Sequence, residues 1–158
     1  LIYANYKKIE TPKKIANLFH IYLIAALIGL LILGPLSTWL VTIVAGAQYA
    51  EGAIYVPILI CSALVSSMYL FFPGLSIANK TRLIAGLNIA VGILNAVLNY
   101  IFIPLYGALG AAFSTLFSVL LSFILNALFA QRLYKIPVNS VLILLIFLMA
   151  GILLRSLI

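Results

Sequence analysis

The charged residues of this chain fall in clumps, and between the clumps lie charge-free stretches at 15–50, 52–79, 83–131 and 136–154. Each is long enough for at least one helix to cross about 30 Å of hydrocarbon at about 1.5 Å per residue. That spacing decides the fold class before any motif is considered. A folded soluble body of 158 residues could not cover its surface when 7% of its residues are charged, where about a quarter is usual. With 66% hydrophobic residues and a mean hydropathy of +1.32, the chain reads as an all-α integral membrane protein. At about 20 residues per crossing, its length accommodates five or six spans.

The first apolar run, from near Ile15 to about Ala45, is too long for one straight crossing. Gly34-Pro35 lies two-thirds of the way along it and predicts a kink, because proline removes a backbone donor; Trp39 beyond it suits a membrane interface. Ala45-Gly46-Ala47 has the small-x-small form of a signal-peptide cleavage site, but the preceding run is about twice a signal peptide's apolar core, so we read a retained span. The second span covers about 53–72 and stops at the breaker pair Pro73-Gly74. A polar connector from Ser76 to Arg82 follows. The third span, about 83–103, is expected to end at Pro104, and the turn Leu105-Tyr106-Gly107 leads into the fourth, about 108–130. Pro137 precedes the fifth, about 140–157. The domain reading is a cytoplasmic loop segment over 1–14 and a transmembrane bundle over 15–158.

Counted by alternating sides, Lys7, Lys8, Lys13, Lys14, Lys80, Arg82, Arg132 and Lys135 fall on one side and Arg155 on the other. The positive-inside rule then makes the lysine-rich start and the 73–82 and 131–137 connectors cytoplasmic, and turns the 46–52 and 104–107 segments outward. Arg155, near the outer end of the last span, reads as a snorkelling side chain, with an intramembrane site as the alternative. Leucine at position 1 and a C-terminus left outside read as a fragment of a larger, transporter-sized protein.

Polar residues inside the spans are few and patterned. Asn88, Asn95 and Asn99 lie within roughly 40° of arc on the third span, and Gly92 shares the stripe. Three bare amides in lipid would each cost several kcal/mol, so this face turns inward. It is either a hydrogen-bonded helix seam or the wall of a polar passage. Gly110, Ser114, Ser118 and Ser122, followed by Asn126, repeat at i+4, the spacing that lets two helices pack closely. Ser62, Ser66 and Ser67 are weaker signals, since a serine hydroxyl can bond its own preceding turn.

Catalysis finds little support. Glu10 and Glu51 are placed on opposite sides of the membrane and cannot act as an acid and base pair. His20 stands alone about one turn into the first span and reads as an interfacial anchor, and Cys61 has no partner cysteine. No phosphate loop, nucleophile elbow or metal motif is present, so neither catalytic residues nor a cofactor or metal is expected. Nucleic acid is not an expected partner, because the basic residues sit at the ends of apolar runs rather than on a solvated face.

The outward turns carry a resemblance. Gly46-Ala47-Gln48-Tyr49-Ala50-Glu51-Gly52-Ala53 resembles the G-x-x-Y-A-x-x-A turn of the polysaccharide-export branch of the multidrug/oligosaccharidyl-lipid/polysaccharide exporter superfamily. About fifty residues on, the stretch from Asn99 to Ala112, with Pro104, Tyr106, Gly107 and Gly110, resembles that family's N-x-x-L-I-P-x-Y-G-x-x-G-A-A helix-turn-helix. Two departures stand out: Ala45, where the family usually has an aromatic, and the lack of a mid-membrane cation between 15 and 154. The likeness covers roughly 15–157. It implies five helices of the C-terminal half of a two-bundle transporter with twelve or fourteen helices.

From the resemblance follows an expected function: translocation of a lipid-linked oligosaccharide, a sugar unit on polyprenyl pyrophosphate, across the cytoplasmic (inner) membrane in O-antigen or polysaccharide biosynthesis. The implied partners are the bilayer, that substrate and a missing N-terminal helix bundle, and no bond is made or broken. No substrate site carries over. A cation-coupled multidrug antiporter of the same fold is the alternative, although it needs a titratable acid inside the membrane that these spans do not offer. A non-transporting membrane scaffold is the third reading.

Overall fold

The computed structural model describes Tyr6 and residues 8–157, with side chains as far as Arg155; residues 1–5 and Lys7, within the expected 1–14 loop, lie outside the described residues. Helix α1 spans Thr11–Leu33 and starts before Ile15, because Pro12 occupies the first turn, where its missing N–H costs nothing. Lys14 and Glu10 form an exposed 3.0 Å ion pair across that turn. At Gly34-Pro35 the expected kink is a full interruption. The Pro35 ring lacks a donor and would clash with the preceding turn, the chain turns through 34–36, and it restarts as α2, Ser37–Val44.

After Gly46, at φ 102° and ψ 158°, a 3-10 segment runs Ala47–Tyr55 and continues into α3, Val56–Ser67. A second 3-10 turn, Met68–Phe71, precedes the short α4, Gly74–Ile77. Helix α5, Thr81–Leu133, is nominally 53 residues long but broken at Gly107, and α6 follows over Ser140–Leu157.

The break in α5 corrects one expectation. Pro104 does not end the third span: it lies inside the helix, whose backbone leaves helical geometry only at Gly107. Proline forfeits a single donor, the one that would reach the Tyr100 carbonyl, and one further turn survives that loss. Gly107, with φ 58° and ψ −137°, sits in a region open essentially to glycine, away from the left-handed helical well.

The break makes α5 a hairpin of two arms, 81–106 and 108–133. Gly110 lies against the Phe102 backbone, closely enough that a Cβ there would collide with the carbonyl. Each arm would be about 39 Å long at about 1.5 Å per residue. Helix α3 packs on α5, α4 packs on α5, and α1 packs on both α3 and α6.

An aromatic cluster joins three of these elements. Phe19 of α1 meets Phe72 at 5.2 Å between ring centroids in an edge-on arrangement, Phe72 meets Phe123 of α5 at 5.6 Å, and Tyr22 meets Phe71 at 5.1 Å. The two edge-to-face pairs, Phe19–Phe72 and Phe72–Phe123, add to what burial alone contributes, and Tyr22–Phe71 is tilted. The Tyr22 hydroxyl donates to the Leu64 carbonyl at 2.7 Å, tying α1 to α3.

Packing also gathers the basic residues. The folded-back arms bring Lys80 and Arg82 to the same end of the bundle as Arg132, where Gly74 touches the Ala130 backbone. Gln131 clamps the following connector by donating to the Ile136 carbonyl at 3.0 Å and accepting the Ile136 N–H at 2.8 Å. Lys13 and Lys135 line one groove there, and the Tyr134 hydroxyl donates to the Tyr6 carbonyl at 3.0 Å. Arg155 lies about 22 Å along α6 from Ser140, toward the opposite end.

Thr11–Leu33, Ala47–Ile77 and Thr81–Leu133 are each long and apolar enough to cross a membrane. Only 28% of the apolar stretch in α1 and in α5 is buried, and large side chains such as Ile21, Ile32, Ile93, Phe117 and Leu148 face outward. Surface of that kind requires hydrocarbon or another helix against it. The fold is all-α, with helices of membrane-spanning type and no strand among the described residues.

Candidate polar passage

The asparagine stripe expected on one face of the third span divides into two environments. In the half nearer Gly107, the Asn99 Nδ2 donates to Asn95 Oδ1 at 3.1 Å, and the Asn95 Nδ2 donates to Ser118 Oγ on the opposite arm at 3.2 Å. The Ser118 hydroxyl in turn donates to the Ser114 carbonyl at 2.7 Å, and the Ser114 hydroxyl to the Gly110 carbonyl at 2.8 Å. Every donor points away from Asn99, so at the head of the series the buried Asn99 Oδ1 receives no donor and has no partner among the described residues. Ser114 and Ser118 are 1% and 3% exposed. This half is a hydrogen-bonded seam between the arms, buried on the serine side and half-buried on the asparagine side.

Asn88 belongs elsewhere. Exposed, and about two turns from Asn95 along the same arm, it lines a cleft of about 370 Å³ between α3 and both arms of α5, with Ser66 and Tyr69 from one side and Ser122 and Asn126 from the other. Val65, Ile84, Val119 and Phe123 complete the wall. Asn126 donates to the Ser122 carbonyl of its own helix at 2.9 Å, and Asn88 makes no hydrogen bond among the described residues. A smaller cavity of about 110 Å³ shares Tyr69, Ile84 and Asn126 with the cleft and extends past Pro73 to Ser76, toward the basic end. Asn88 and Asn126 each stand seven positions from an end of α5, about 10 Å in from that face.

Ser66, Tyr69, Ser122 and Asn126 are the residues that sequence reasoning passed over as site candidates. Ser66 and Tyr69, three apart in an apolar run, do share a helix face, but only the approach of α3 to α5 makes that face meaningful.

The other motif residues lie away from the cleft. Gly46 and Tyr49 form a turn in which the Tyr49 N–H reaches the Gly46 carbonyl at 3.1 Å, with Tyr49 exposed. Pro104, Gly107 and Gly110 shape the hairpin apex, so their part is structural. His20 is no isolated anchor: its Nε2 accepts the Asn139 backbone N–H at 3.1 Å at the start of α6, while Asn139 Oδ1 caps Val141 and Leu142 at 3.0 and 3.2 Å. Cys61 lines a small apolar void of about 40 Å³ between α1, α3 and α6. Among the described residues no three histidines, cysteines or acids gather where they could hold a metal ion.

What fold and site together define is a class: an all-α protein with helices of membrane-spanning length, folded around a cleft lined by uncharged hydrogen-bonding side chains. Comparison with protein-family models, with curated proteins and with solved structures finds no match.

Proposed function

We propose that the chain crosses the cytoplasmic membrane five times, the two arms of α5 counting separately, and forms one bundle of a two-bundle transporter of the polysaccharide-export type. It would carry a lipid-linked oligosaccharide from the inner to the outer leaflet. The observation that bears the reading is the cleft at Asn88 and Asn126: polar groups set inside apolar helices, open toward the basic end, offer a path for a hydrophilic headgroup while a lipid tail stays in hydrocarbon. The gathering of Lys13, Lys80, Arg82, Arg132 and Lys135 at one end supports the cytoplasmic assignment of that end. The outward apolar faces offer a second bundle a surface to pack on.

The test is a headgroup-translocation assay with the protein in liposomes. Flipping of a polyprenyl-pyrophosphate sugar supports the reading. Ion-coupled drug efflux without flipping would replace it with the antiporter, and neither activity would leave the scaffold.

A further inference from the structure

We infer that the cleft between α3 and the two arms of α5 is a binding site for an uncharged, hydroxyl-rich group, held by the amides of Asn88 and Asn126, the hydroxyls of Ser66 and Ser122, and Tyr69. The inference rests on the transport reading only in naming where such a group would come from. Its own basis is the state of the polar atoms.

In the seam, Asn95 donates its amide to Ser118 across the hairpin, and Ser118 is buried. About two turns away, the same helix face presents Asn88 with no hydrogen-bond partner among the described residues, opposite Asn126, whose bonds among those residues stay within its own helix. An amide left bare in hydrocarbon costs several kcal/mol, so the cleft is wet or filled by something that can donate and accept. Its volume of about 370 Å³ falls at the small end of ligand sites rather than at the size of a single water.

The chemistry of the lining selects among occupants. Two carboxamides and two hydroxyls each donate and accept, which matches vicinal hydroxyls, and the Tyr69 and Phe123 rings offer apolar faces for the C–H side of a sugar ring. Among the described residues no cation lines the cleft. A phosphate group would enter without a charge partner and lose its hydration uncompensated. The nearest basic residues along the chain, Lys80 and Arg82, precede the lining residue Ile84 by four and two positions, toward the basic end of the bundle. The cleft therefore takes the neutral, hydroxylated part of a ligand and leaves any anionic part at the rim.

The experiment uses Ser122→Cys in a Cys61→Ala background, in nanodiscs, with a charged, water-soluble thiol reagent. Ser118→Cys at the buried position of the seam serves as the reference. The thiol at 122 should react, the thiol at 118 should not, and sucrose should slow the reaction at 122 severalfold while inorganic pyrophosphate leaves it unchanged. Asn88→Ala with Asn126→Ala should abolish the sucrose effect and retain the labelling, which separates loss of the site from loss of the fold. An unreactive 122 would show the cleft to be closed and dry and would overturn the inference. Protection by pyrophosphate, or none by sucrose, would overturn the ligand class. Sucrose protection without headgroup translocation would remove the transport reading and leave the site; translocation without protection would do the reverse.

Discussion

The Asn95 amide reaches across the α5 hairpin to Ser118 Oγ at 3.2 Å, while its own carbonyl oxygen accepts from Asn99 at 3.1 Å. One side chain thus serves both arms and links the asparagine stripe of one to the serine ladder of the other. Asn88, on the same stripe, forms no such bond among the described residues. The same residue type performs two different tasks according to what stands opposite.

Asn95→Leu should weaken the hairpin by about 1–2 kcal/mol, since it removes two side-chain bonds of about 0.6 kcal/mol each and strands the Asn99 amide. Unfolding in mixed micelles by a dodecyl sulfate titration measures this. Asn88→Leu should leave that midpoint almost unchanged. Equal loss in both variants would remove the distinction between seam and cleft.

Gly110→Val should be destabilising by about 1–3 kcal/mol, because the added Cβ meets the Phe102 carbonyl and the arms must part. Gly92→Ala is the matched control: nothing lies within 4 Å of a Cβ there, and alanine gains up to about 1 kcal/mol of helix propensity. A Gly110→Val variant as stable as the parent would mean that the arms do not touch at this point.

Asn139→Ala should cost about 1 kcal/mol through loss of the cap on Val141 and Leu142 and loosen the start of α6. His20→Leu should have a smaller effect of the same kind, since it removes one acceptor of the Asn139 N–H. Limited proteolysis in the 134–139 connector reads both. Faster cleavage in Asn139→Ala than in His20→Leu is the expected order, and no change in either would detach the cap from the docking of α6.

Single cysteines at positions 48 and 106, in the Cys61→Ala background, should react with an impermeant reagent from outside intact cells. Positions 80 and 135 should react only after the membrane is opened. All four parent residues are exposed. Labelling of position 80 from outside would reverse the proposed orientation.

Much of the architecture was legible in the residues themselves. Charge-free runs bounded by lysine and arginine specify apolar helices, and breakers specify where they stop, because an unsatisfied backbone in hydrocarbon is too costly for any other local solution. Pro73-Gly74 and Gly107 acted where expected. Pro104 did not, since a proline removes one hydrogen bond and only glycine opens the backbone region the turn requires.

Tertiary structure alone decided which polar side chains face which. Helical periodicity places Asn88, Asn95 and Asn99 on one stripe, yet it carries no information about the neighbour across the gap. The close contact at Gly110 draws the arms together near the apex around the Asn95 seam, while Ser66 of α3 and Tyr69 of the 3-10 turn after it leave a cleft at Asn88. A pattern along one helix is local chemistry, whereas a cavity exists only between helices and is set by their mutual approach.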